Sequence, residues 1–174
     1  NGDNLGNQHL APFKRIRVGK DGSMLLCYWQ GNEALKRGMP SKIRLTDKSN
    51  GPAMLTRPLD ITAGAVIEGG FSFDDFSKRS RGVFIQGPNQ TGWAIIVSRD
   101  GSIECGEMTD ESWKLIDPEP VTERNISFPE QAPFRLMIRD RFVEFYVDDI
   151  LIQAYSTDDR SEERRVGKEC ATGC

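Results

Sequence analysis

The chain reads as an all-β protein, an antiparallel β-sandwich or jelly roll. Three observations lead there. Short runs rich in aromatic and β-branched residues recur along the sequence, turn chemistry separates them, and no segment sustains a helical period.

Taken in order, residues 13–18 and 24–29 flank Lys20-Asp21-Gly22 and predict a hairpin. Residues 32–37 have room for a turn or two of helix, and 37–52 are rich in Gly, Pro and Lys. Strands are predicted over 65–73, 82–86, 93–98 and 103–105, with turns at Pro88-Asn89 and Asp100-Gly101. Residues 117–133 hold four prolines and are expected to cross the surface as an irregular loop.

The clearest signal follows. In Phe134-Arg135-Leu136-Met137-Ile138-Arg139 the apolar positions alternate with arginines, as a half-buried strand requires. After Asp140-Arg141 comes Phe142-Val143-Glu144-Phe145-Tyr146-Val147, with Val143, Phe145 and Val147 on one face and Glu144 on the other. Asp148-Asp149 then leads into Ile150-Leu151-Ile152-Gln153-Ala154-Tyr155. Two-residue connections suit tight hairpins, so this stretch is predicted to be a three-strand antiparallel meander.

The tail differs from the rest of the chain. Arg160-Ser161-Glu162-Glu163-Arg164-Arg165-Val166-Gly167-Lys168-Glu169-Cys170 resembles the translation of a short-read sequencing adapter. A solvated charged tail explains its composition but not its order. Residues 160–174 are therefore expected to be non-native and no part of the fold. The first residue is Asn1 rather than a methionine, so both ends are expected to be cut. The expected organisation is 1–58 as the end of a preceding domain or a linker with a hairpin, 59–159 as the sandwich, and 160–174 as the foreign tail.

Without the tail about 160 residues remain, enough for one domain with a real core. The whole 174-residue chain carries a formal charge of −3. That argues against a nucleic-acid partner, which calls for a basic face. No apolar run approaches the roughly 18 residues of a membrane span, so no membrane partner is expected. Cys170 and Cys174 fall in the tail, leaving Cys27 and Cys105, far apart and outside any Cys-x-x-Cys pair. Two buried free thiols are expected, and the compartment stays open.

Few residues suggest chemistry. His9 is the one histidine, in a polar end, which leaves little scope for His-dependent catalysis or His-based zinc. The pairs Asp74-Asp75, Asp148-Asp149 and Asp158-Asp159 sit where turns are expected, and adjacent strand residues point to opposite faces. Turn or edge roles are the expectation, with a calcium site as the alternative. Trp29, Trp93, Trp113, Tyr146 and Tyr155 have rings that stack on sugars, although aromatics in a sandwich mostly build core. Trp113, after Asp110-Glu111-Ser112, is the best carbohydrate-binding candidate, with Trp93 and Tyr146 behind it. Asn89-Gln90-Thr91 and Asn125-Ile126-Ser127 fit the N-glycosylation pattern. No phosphate loop, nucleophile elbow or dinucleotide fingerprint occurs, and neither a cofactor nor a catalytic residue is expected.

Two segments together resemble a known arrangement. The first runs from Leu10-Ala11-Pro12-Phe13-Lys14-Arg15-Ile16-Arg17-Val18 through Asp21-Gly22-Ser23-Met24-Leu25 to Tyr28-Trp29-Gln30-Gly31-Asn32-Glu33-Ala34-Leu35-Lys36. It resembles the passage leaving the catalytic propeller in the clan of glycoside hydrolase families 32 and 43. The second, from Phe134 through Glu144, Tyr146 and Asp148 to Gln153, resembles late strands of their C-terminal concanavalin-like sandwich. Similarity extends over most of residues 10–157.

What the resemblance implies is a β-fructosidase-like parent acting on sucrose, fructans or related glycosides. An upstream five-bladed propeller would be the partner in the same chain, and carbohydrate the ligand. The nucleophile, stabilising aspartate and acid/base glutamate would lie on that propeller, so no residue here inherits their roles. The sandwich's closing strand is expected to be missing, leaving an open edge and a poorly soluble fragment. A free-standing carbohydrate-binding or lectin-like module is the alternative.

Overall fold

A computed structural model gives the conformation of residues 11–43, 59, 61–73, 80–86, 91–109, 114–116, 118, 122–123, 125–139 and 142–156. They form an all-β protein of two antiparallel sheets. The strands are β1 (Lys14–Val18), β2 (Met24–Tyr28), β3 (Ala65–Ser72), β4 (Ser80–Gln86), β5 (Thr91–Ser98) and β6 (Ser102–Thr109). They continue with β7 (Leu115–Ile116), β8 (Thr122–Glu123), β9 (Gln131–Arg139), β10 (Phe142–Val147) and β11 (Ile150–Ser156). One short 3-10 helix, Gln30–Leu35, follows β2 where a turn or two was expected.

The larger sheet has the order β1-β2-β11-β10-β9-β3, and the smaller runs β4-β5-β6-β7 with β8 also on β6. The predicted meander is present as β9-β10-β11. The hairpin assigned to residues 1–58 joins the same sheet, because β2 meets β11 at Cys27 and Ile150. The Tyr28 amide also donates to the Asp149 carbonyl at 2.7 Å. The boundary drawn at residue 58 therefore does not divide the sheet.

The alternation read from β9 and β10 sets the core. Leu136, Ile138, Val143, Phe145 and Val147 face Trp93, Ile95, Val97, Ile103 and Cys105 of the smaller sheet. Cys27 and Cys105 are both buried, as expected, and are not joined in a disulfide. Phe71 stacks on Phe134 with ring centroids 4.4 Å apart, and Phe145 meets Phe71 edge-on. Gly69 lies opposite Phe134, whose ring occupies the space a Cβ at Gly69 would need. A bare backbone is what lets that ring lie flat over the strand.

Two departures have local causes. The stretch expected to be loop contains β8, which pairs with Ser102 and Ile103, and the first three residues of β9. Pro133 is tolerated near the start of β9, and its carbonyl accepts the Asp148 amide at 2.8 Å. Outward-facing Glu144 and Tyr146 are buried rather than solvated, at 7% and 0% exposure. Other side chains cover them, as described below. His9, Asp74-Asp75, Pro88-Asn89, Trp113, Asp140-Arg141, Asp158-Asp159 and the tail at 160–174 lie outside the described residues, as does the expected break after Asp159.

The Asp148-Asp149 connection is a two-residue hairpin loop with φ of 50° and 61°. That left-handed pair matches the strand twist and suits short polar residues. Asp148→Val should destabilise the fold by about 1–3 kcal/mol, because a β-branched side chain resists positive φ. Asp148→Gly should leave stability equal or higher. Urea unfolding of the two variants checks this, and equal midpoints would refute the turn assignment.

Candidate functional site

The densest constellation of polar side chains lies on the outer face of the larger sheet. Strand alternation puts Arg135 of β9, Tyr146 and Glu144 of β10, Glu68 of β3, and Lys14 and Tyr28 of the hairpin on this one face, in register across neighbouring strands. The 3-10 helix then places Glu33 above them, with Lys36 just beyond its end.

Arg135 is the hub. Its Nε donates to Glu68 Oε1 at 2.7 Å and its Nη1 to Asp149 Oδ1 at 3.1 Å, while Nη2 lies 3.6 Å from Glu33 Oε1. The guanidinium carbon sits 3.6 Å from the centre of the Tyr28 ring, a cation–π contact. Lys36 Nζ bridges Glu33 and Glu68, each at 2.8 Å. Tyr28 meets Tyr146 edge-on at 5.6 Å and donates its hydroxyl proton to Glu33 Oε1 at 2.9 Å. Deeper in, Tyr146 Oη donates to Glu144 Oε2 and Lys14 Nζ to Glu144 Oε1, both at 2.7 Å. Lys14 also donates to the Pro12 carbonyl, and Asn32 Nδ2 to the Phe13 carbonyl at 2.8 Å.

The electrostatics follow from this packing. Hydrogen bonds from Lys36 hold Glu33 and Glu68 below the usual carboxylate range, against the opposing effect of burial. Burial, then the hydrogen bond to Glu33, pushes the Tyr28 phenol up to about 12. Burial and the Glu144 carboxylate raise Tyr146 further still. At the hairpin's far end, hydrogen bonds from the Ser23 side chain and from Asn125 pull the Asp21 carboxyl down to about 2. Asn125, of the second N-glycosylation pattern, thus ties a loop to the β1–β2 turn.

Chemically the cluster is closed. Glu33, Glu68, Glu144 and Asp149 each hold a cationic partner, and the nearby depression between Pro133, Phe134, Arg135, Tyr146 and Asp149 measures about 30 Å³, room for about one water. Among the described residues no three His, Cys, Asp or Glu side chains gather as metal ligands would.

The aromatic candidates part company here. Trp93 is 7% exposed and packs on Tyr155 in the core, and Tyr146 is covered by Tyr28. Stacking on a sugar requires an open ring face, so both act here as packing residues. Trp29 is exposed, with Phe13 edge-on at 5.8 Å, and Gly31 beneath its ring leaves no room for a side chain. Trp113 is outside the described residues. Sequence reasoning missed the hub itself. The available signal was a pair of opposite charges, Arg135 and Glu68, each inside a predicted strand.

Compared with protein-family models, curated proteins and solved structures, the chain matches none.

Two outcomes test the cluster. Arg135→Ala should cost about 2 kcal/mol, because it strips Asp149 of its cation, leaves Lys36 alone to balance Glu33 and Glu68, and uncovers the Tyr28 ring. Arg135→Lys should recover only part of that, since an ammonium lacks the flat fork that lies over Tyr28. Urea unfolding gives both values, and full rescue by lysine would refute the fork's role. The pH dependence has a defined sign. The unfolded chain loses its phenolic protons near pH 10, while folded Tyr28 keeps its proton to about 12. The folded state therefore binds more protons in that window, so stability is full below pH 10 and falls as pH rises toward 12. Tyr28→Phe should flatten the fall, and an unchanged slope would show that the phenol is not responsible.

Proposed function

We propose that this chain is the non-catalytic, concanavalin-like sandwich of a glycoside hydrolase acting on sucrose, fructan-like or related glycosides. Its role is to brace an upstream β-propeller that performs the cleavage. The observation behind this reading is the meeting of the two segments that resemble that clan. Lys14 of the first and Glu144 of the second, 130 residues apart, form a largely enclosed ion pair. Tyr28 of the first lies between Arg135 and Tyr146 of the second. Neighbouring strands β2 and β11 carry the contact into the backbone. A hairpin that leaves one domain and is hydrogen-bonded into the next sheet limits the relative motion that is otherwise the default between domains. The acids of this face are engaged by cations, which favours a bracing role over acid/base chemistry.

The alternative is a free carbohydrate-binding module, and the exposed Trp29 ring is what favours it. Both readings meet the same assays. The chain should turn over neither sucrose nor an inulin-type fructan, and the coding region upstream should specify a propeller whose hydrolase activity loses thermal stability when this chain is deleted. Turnover by the chain alone, or the absence of any upstream propeller, would overturn the proposal. Glycan binding abolished by Trp29→Ala would transfer support to the alternative.

A further inference from the structure

β1 is the outermost strand of the larger sheet and, among the described residues, pairs with β2 alone. Among the described residues its other edge has no strand partner, and such a row of backbone donors and acceptors is the template for strand addition. The two faces of this edge differ. On one, Ile16 lies opposite Leu26 and Val18 opposite Met24, making two apolar cross-strand rows. These four side chains are 60%, 48%, 67% and 75% exposed. On the other face stand Arg15 and Arg17, both exposed and without an ion pair among the described residues. Lys14, next to them in sequence, is already committed to Glu144.

We propose that the free edge of β1 docks an extended peptide segment in which apolar and acidic residues alternate. The incoming strand places its apolar side chains beside Ile16 and Val18, adding a third member to each row. Its carboxylates fall beside Arg15 and Arg17. Alternation is required because neighbouring strand residues point to opposite faces, and a slip of one residue sets carboxylates on the apolar rows. The same arginines disfavour a second copy as occupant. Two β1 strands paired antiparallel about Ile16 bring arginine against arginine, and like charges directly opposite are destabilising. This surface does not depend on the sugar-related reading.

The test uses the whole chain and blocked eight-residue peptides at low ionic strength. One peptide alternates valine and glutamate, a second alternates valine and lysine, and a third holds the first one's composition in two blocks. The alternating glutamate peptide should bind about tenfold more tightly than either of the others by fluorescence anisotropy. It should weaken as salt rises and slow amide hydrogen exchange in residues 14–18. Arg15→Glu with Arg17→Glu should reverse the preference toward the lysine peptide, with an unchanged unfolding midpoint certifying the fold. Absence of binding, equal affinity for all three peptides, protection elsewhere in the chain, or an unaltered preference in the double variant would each overturn the proposal. So would dimerisation of the free chain in sedimentation velocity, which would make a second copy the occupant.

Discussion

The Arg135 guanidinium fixes how the parts of this molecule sit together. It projects from the middle of β9 and reaches four other pieces: Glu68 on β3, Asp149 in the β10–β11 turn, Glu33 on the 3-10 helix, and the Tyr28 ring at the end of β2. A planar cation with five donors can satisfy several acceptors while its flat face rests on a ring, which no other side chain does. The hairpin's backbone link to the sandwich is short, one strand partner at Cys27 and one amide bond at Tyr28. The angle of the hairpin is therefore decided mainly by side chains, and Arg135 is the one they share.

Such a cluster contributes more to arrangement than to net stability. Glu33 and Glu68 remain more than two-fifths exposed, so their ion pairs are screened and individually small. Lys14 and Glu144 are nearly enclosed, where the cost of removing charge from water offsets most of the attraction between them. The apolar interior, with Phe145, Val147, Ile95 and Ile152 fully buried, supplies the driving force for closing the two sheets. What the charges add is selectivity: another hairpin angle leaves Glu144 without Lys14 and strips Arg135 of the Tyr28 ring and Glu33, a penalty larger than the pairs' own net worth.

This division explains what could be read from the chain. The β9–β11 meander was legible because burial on one face of a strand writes a period of two into the sequence, as Leu136, Ile138, Val143 and Phe145 show. The Asp148-Asp149 turn was legible because positive φ restricts the residues allowed. Glu144 was not. Its outward position was read correctly, but outward does not mean solvated when Lys14 and Tyr146 close over it. No local pattern records a contact between residues 14 and 144. Tyr146 and Trp93 were placed among the sugar platforms for a related reason, since an aromatic residue in a strand has the same local signature whether its ring is bare, covered as Tyr146 is by Tyr28, or turned into the core as Trp93 is.

The ends of the larger sheet show the same logic at its edges. At the β3 end, Glu68 is drawn inward by Arg135 and Lys36, and Gly69 and Gly70 offer an incoming strand no side chain to pack against. That edge is blunted. At the β1 end the apolar residues point outward and the charges, Arg15 and Arg17, are of one sign. A single-sign edge is a filter rather than a block: it repels its own copy and every basic strand while leaving the backbone row open. Two arginines in five residues thus set both what this edge refuses and what it can accept.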